Sequence, residues 1–158
     1  MNKFLKFLTF SLFAALIIFA SCGGGDDDDD NNDDGPGTDP TEDIVNNLIA
    51  DGGDWAVTEG GVTLESVAAE GWESFSLKLS GSTSSISFST SGAADPTVWP
   101  GSGTWSFVEG SDGKKALRAG DNIEIDITAS ANSLRLEFDI TEGRSKGIVG
   151  RWSFTLQK

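Results

Sequence analysis

The chain has 158 residues, 25 Asp and Glu against 11 Lys and Arg, a formal net charge of −14, no His, no Tyr and one Cys. Without histidine or a spare thiol, a Ser-His-Asp triad, a His-ligated zinc site and a cysteine nucleophile are excluded, which leaves carboxylate chemistry. The acids are unevenly spread: Asp26 to Asp30, Asp33, Asp34, Asp39, Glu42 and Asp43 supply ten of the 25, and from Ile44 onward 15 acids face nine Lys and Arg, about −6. No basic patch emerges, so nucleic-acid binding, which needs clustered cations to displace counterions, is disfavoured.

Met1, Lys3 and Lys6 form a positive start, Phe7 to Phe19 an apolar run, and Ala20-Ser21 the small residues that a signal peptidase requires. The apolar run is shorter than the ~20 residues of a spanning helix. Residues 1–21 therefore read as an export signal. The lone Cys22 follows directly and reads as a lipid attachment point, not a disulfide partner or metal ligand. Residues 22–40 are too polar and acidic to join a core and read as a self-repelling, extended tether. Residues 41–158 remain for one domain with one core.

Phe19-Ala20-Ser21-Cys22 resembles the lipobox of bacterial lipoproteins, with Phe19 in place of the usual Leu. Gly23-Gly24-Gly25 and the aspartates after it resemble the surface-export signal of Bacteroidota lipoproteins. The resemblance implies lipidation at Cys22, an outer-membrane location and display on the cell surface. Two or three acyl chains suffice for stable attachment, each buried methylene contributing about 0.8 kcal/mol.

Ile44, Val45, Leu48 and Ile49 share one helical face, predicting a short helix capped by Thr41 or Asp39 and stopped by Asp51-Gly52-Gly53. From Trp55 onward the period becomes two. Trp72 to Leu79, Ser85 to Ser89, Trp105 to Phe107, Ile123 to Ile127, Leu134 to Ile140 and Trp152 to Leu156 alternate apolar with polar residues, as half-buried strands do. Turn signals such as Ser80-Gly81-Ser82, Gly120-Asp121-Asn122 and Ala131-Asn132-Ser133 follow at short intervals, which favours consecutive antiparallel hairpins. Pairing Ile125 with Leu136 sets Asp126 opposite Arg135 and Glu124 opposite Glu137. Pairing Leu136 with Trp152 sets Glu137 opposite Arg151. Each opposite-charge pair contributes about 0.2–1 kcal/mol.

Gly53-Asp54-Trp55, Gly103-Thr104-Trp105 and Gly150-Arg151-Trp152 each place Trp two residues after Gly at a strand start. One account is a turn glycine followed by a core anchor. The other is that Gly53-Asp54-Trp55, after a short helix and before about eight strands, resembles the Gly-x-Trp of lipocalin-like domains. That resemblance implies an all-β, antiparallel up-and-down barrel; a two-sheet immunoglobulin-like sandwich is the second expectation.

Glu124, Asp126, Glu137 and Asp139 alternate with core positions and read as a solvated sheet face, so no catalytic residue is assigned and the domain is expected not to be an enzyme. No Asp-x-Asp-x-Asp-Gly spacing marks a calcium loop, so neither metal nor cofactor is expected. Trp55, Trp105 and Trp152 read as core. Trp72 has the opposite parity to Phe75, Leu77 and Leu79, and Trp99 lies in the loop-like run Asp95-Pro96-Thr97-Val98-Trp99-Pro100-Gly101. Trp72 is expected to project outward, whereas Trp99 either stays exposed beside polar groups, plugs a barrel mouth or folds back as a lid on the core; with Phe88 the two are the candidate contacts for a small apolar or glycan ligand. The other expectation is a structural or interaction subunit of a surface complex without a small ligand.

Overall fold

The computed structural model describes residues 39–141 and 147–158. Cys22, the export signal and nearly all of the acidic tether lie outside the described residues.

Helix α1, Pro40–Ile49, starts where the sequence directs it: Asp39 is the cap, its carboxylate accepting from the Thr41 N–H at 2.9 Å, with a proline in the first turn. Val45 and Leu48 form its buried face. The turn Ala50–Gly53 ends it with three successive residues at positive φ. Nine strands follow among the described residues: β1 (Asp54–Leu64), β2 (Val67–Ala68), β3 (Ser76–Ser82), β4 (Ser85–Ser91), β5 (Ser102–Phe107), β6 (Lys115–Arg118), β7 (Ile123–Ala129), β8 (Ser133–Ile140) and β9 (Gly150–Gln157). From β3 to β9 each strand pairs antiparallel with the next. β1 pairs with β3 through Asp54 to Ala56 and with β9 from Ala56 to Leu64, which closes the sheet on itself.

The result is an eight-stranded antiparallel up-and-down barrel of lipocalin-like architecture, with β2 as an extra strand folded back on the far end of β1. Closure through β1 and β9 replaces the two open sheets of the sandwich alternative. An eight-stranded barrel is just wide enough for side chains to fill. Here Trp55, Phe75, Leu77, Leu79, Ile86, Trp105, Ile125, Leu136, Phe138 and Phe154 all point inward and are buried.

Two glycines of the Gly-x-Trp repeats have separate reasons. Gly53 sits at φ +68°, and a Cβ there would collide with the Leu79 carbonyl, so α1 hands over to β1 hard against β3. Gly103 lies opposite Phe88, whose ring occupies the space a side chain would take.

The strand faces are as alternation requires, but the register is shifted by two residues from the charge-pairing expectation. Leu136 lies opposite Ile127 and Phe154, not Ile125 and Trp152. The reason is the β7–β8 turn, which closes tightly through the Ser130 N–H to the Ser133 carbonyl at 2.8 Å. A two-residue shift keeps every side chain on its own face, so hydrophobic patterning cannot oppose it. Asp126 therefore faces Glu137, and Arg151 faces Asp139. Arg151 relieves the like-charge pair, donating to Asp126 and Asp139 at 3.1 Å each and lying 3.8 Å from Glu137.

Candidate functional site

The loop after β4 brings Trp99 into the barrel. Asp95 accepts from the Thr97 N–H and hydroxyl at 2.8 and 2.6 Å, and its carbonyl accepts from the Val98 and Trp99 N–H groups at 3.1 Å each. This turn aims Val98 and Trp99 at the axis, and both are 0 % exposed. The Trp99 ring meets those of Phe75, Phe88, Trp105, Phe138 and Phe154, with centroids between 5.1 and 6.3 Å away. Of the positions open to Trp99, the structure shows the inward one, folded back on the core. The loop composition permits this because the Asp95 turn satisfies the backbone locally and frees the indole to plug the interior.

For Trp72 the outward expectation is corrected. Strand β3 begins at Ser76, and residues 72–75 form a turn closed by the Phe75 N–H on the Trp72 carbonyl at 3.0 Å, so strand parity does not extend to Trp72. Its ring is 3 % exposed and packs on Phe75, Trp152 and Phe154. Phe88 is the inward residue of β4 and touches Trp99 and Trp105. The structure thus brings the three expected ligand residues into one aromatic cluster, as filling and not as a solvent-facing platform.

Arg118 escaped the sequence reading. In Lys115-Ala116-Leu117-Arg118 the strand turns Ala116 and Arg118 inward, so Leu117 is 38 % exposed and Arg118 is 0 % exposed inside the barrel. Its Nε and one terminal nitrogen donate to the two Asp121 oxygens at 3.1 and 2.7 Å, and the other donates to the Val98 carbonyl at 3.1 Å. The guanidinium also lies 5.2 Å from the ring centres of Trp99 and Phe138. Burying a guanidinium is tolerable only with such pairing. The available signal was Asp121, three residues on, within the Gly120-Asp121-Asn122 turn.

Open space lies on the outside. At the mouth, by the far end of β1, a groove of about 360 Å³ runs between Leu64, Val67, Ala68, Trp72, Ala94, Ile148 and Trp152, with Glu70 and Asp95 at its edge. A second groove, about 340 Å³, opens between Asp121, Glu124, Asp126, Phe138 and Asp139, where the β7–β8 rungs end at Asp126 and Glu137.

The outer carboxylates pair with cations of the same chain. Hydrogen bonds that Lys115 donates to Glu124 and Asp126 push its ammonium above the ordinary range, and the hydrogen bond that Arg151 donates to Asp126 does the same for its guanidinium. The Thr97 hydroxyl and N–H hold Asp95 below the usual carboxylate range, and backbone N–H groups at Glu73 and Gly71 lower Glu73. Such a face binds cations of its own chain. Among the described residues no group of three or more His, Cys, Asp or Glu is arranged to hold a metal.

Fold and site together define a closed lipocalin-like barrel with an aromatic filling and one buried arginine. Comparisons with protein families, curated proteins and solved structures found no match.

Proposed function

We propose that the protein is an outer-membrane lipoprotein, anchored through acyl chains on Cys22 and displayed at the cell surface, whose barrel acts as a non-enzymatic interaction module. Its contacts with a partner are made from outside the barrel. The observation that carries this reading is the interior position of Trp99: the space where a small molecule would enter is taken by the protein's own indole. The chain enters through α1 at the start of β1, and the mouth groove lies by the other end of that strand, so a partner reaches the mouth without meeting the tether's attachment point.

A second reading is supported by the mouth groove itself. At about 360 Å³, with an apolar lining, it falls at the lower end of the range of small-molecule sites. It would seat an apolar molecule or a glycan substituent against Trp72, the one member of the expected ligand set that borders it. Native mass spectrometry of the full chain, purified in detergent after exposure to lipid and glycan extracts, separates the two readings. The interaction module retains its own mass, whereas a stoichiometric small-molecule adduct lost in a Val67→Glu variant establishes the mouth site and overturns the first reading.

A further inference from the structure

The barrel interior carries an imbalance of donors. Trp105 on β5 and Arg118 on β6 are register partners, and both point inward. The Trp99 ring lies 6.3 Å from that of Trp105 and 5.2 Å from the Arg118 guanidinium carbon. The indole N–H groups of Trp99 and Trp105 are fully buried and meet no protein acceptor among the described residues. An indole can only donate, and a guanidinium offers five N–H groups. Three of these go to Asp121 and the Val98 carbonyl, so every Arg118 nitrogen has a partner and the unmatched donors are the two indoles.

We infer that the centre of the barrel holds a small hydrogen-bond acceptor, a single trapped water molecule, between the Trp99 and Trp105 indoles and the Val98 carbonyl, beside Arg118. A buried donor left unmatched bears its full desolvation cost, and three partners are what an internal water ordinarily finds. The water oxygen accepts from the two indoles. Its protons have an acceptor in the Val98 carbonyl, which has a lone pair beyond the one given to Arg118. A neutral guest is favoured over an anion because Asp121 already balances the Arg118 charge, and an added anion would be buried without a counter-charge.

The test replaces the indole at position 105, then at 99, with benzothienylalanine, which keeps the ring shape and substitutes sulfur for N–H. If a water joins the donors, each replacement removes one of its partners and the melting temperature falls, by roughly 4 °C for the loss of one ordinary hydrogen bond in a domain of this size. If the donors are simply unmatched, or rest on ring faces, the replacement leaves the melting temperature unchanged or raises it, and the inference is overturned. In the unmodified full chain, ¹⁵N-indole labelling should show cross-relaxation from both indole protons to a long-lived water. Its lack at either proton also overturns the inference, as does a melting temperature that rises with chloride or bromide but not with fluoride, which would mark a halide site.

Discussion

Both ends of the barrel are closed by tryptophan, but the two closures are built differently. At the base, Trp55 is reached within a few residues of α1, and its N–H donates to the Leu48 carbonyl at 2.9 Å. Lys158 lies over the same ring at 4.8 Å and reaches Asp51 at 3.5 Å, tying the last strand to the helix. At the mouth, Trp72 and Trp99 arrive from two separate connections and both pack on Phe154 only in the folded state, and the Trp99 N–H has no protein partner among the described residues. The base starts from a local, polar-matched contact to which Lys158 is then added; the mouth is assembled from non-local ring packing. The same residue type therefore serves as a strand anchor at one end and as an inserted plug at the other.

Substitutions at the two ends should break this contrast in order of burial. Trp99→Ala removes the centre of the mouth filling and is expected to cost about 3–5 kcal/mol in denaturant unfolding. Next comes Asp121→Ala, which leaves Arg118 buried with its charge unbalanced; about 3 kcal/mol is expected, and Arg118→Met in the same background should restore part of it. A double-mutant cycle would read that coupling directly. At the base, Gly53→Ala forces a Cβ against Leu79 at positive φ and should cost more than about 1 kcal/mol, with the loss appearing as weaker hydrogen-exchange protection in α1 and β3.

The smallest effect is acid sensitivity of the mouth alone. Because Asp95 has a lowered pKa in the fold, its contribution is fully present above the unfolded value of about 3.9 and is lost as pH falls through the folded value. Exchange of the Val98 and Trp99 amides should accelerate below that range while the base remains protected. Asp95→Asn should abolish the difference between the ends, and an equal acid response at both would count against the Asp95 turn.

The base was legible because its signals are local: the Asp39 cap, the amphipathic Ile44 to Ile49, the Gly53 stop and the period-two strands each act over a few residues. Up-and-down order was also legible, from short turns between alternating runs. Register was not, since moving Leu136 from Ile125 to Ile127 changes no side chain's face, and a tight Ser130–Ser133 turn decides it. The mouth was least legible. Nothing near Trp99 in the sequence states that Arg118 and Phe154 will surround it, and Leu117-Arg118 reverses the usual inside-outside preference because Asp121 and two rings receive the guanidinium.

The central claim, that the barrel is filled by its own Trp99 and works from the outside, is tested most directly by titrating the full chain and its Trp99→Ala variant with a neutral apolar dye such as N-phenyl-1-naphthylamine. The account requires no saturable binding to the original protein and one-to-one binding to the variant, whose interior is vacated. Saturable one-to-one binding to the original protein, quenched by energy transfer from the buried tryptophans and unaffected by Val67→Glu at the mouth, would contradict it.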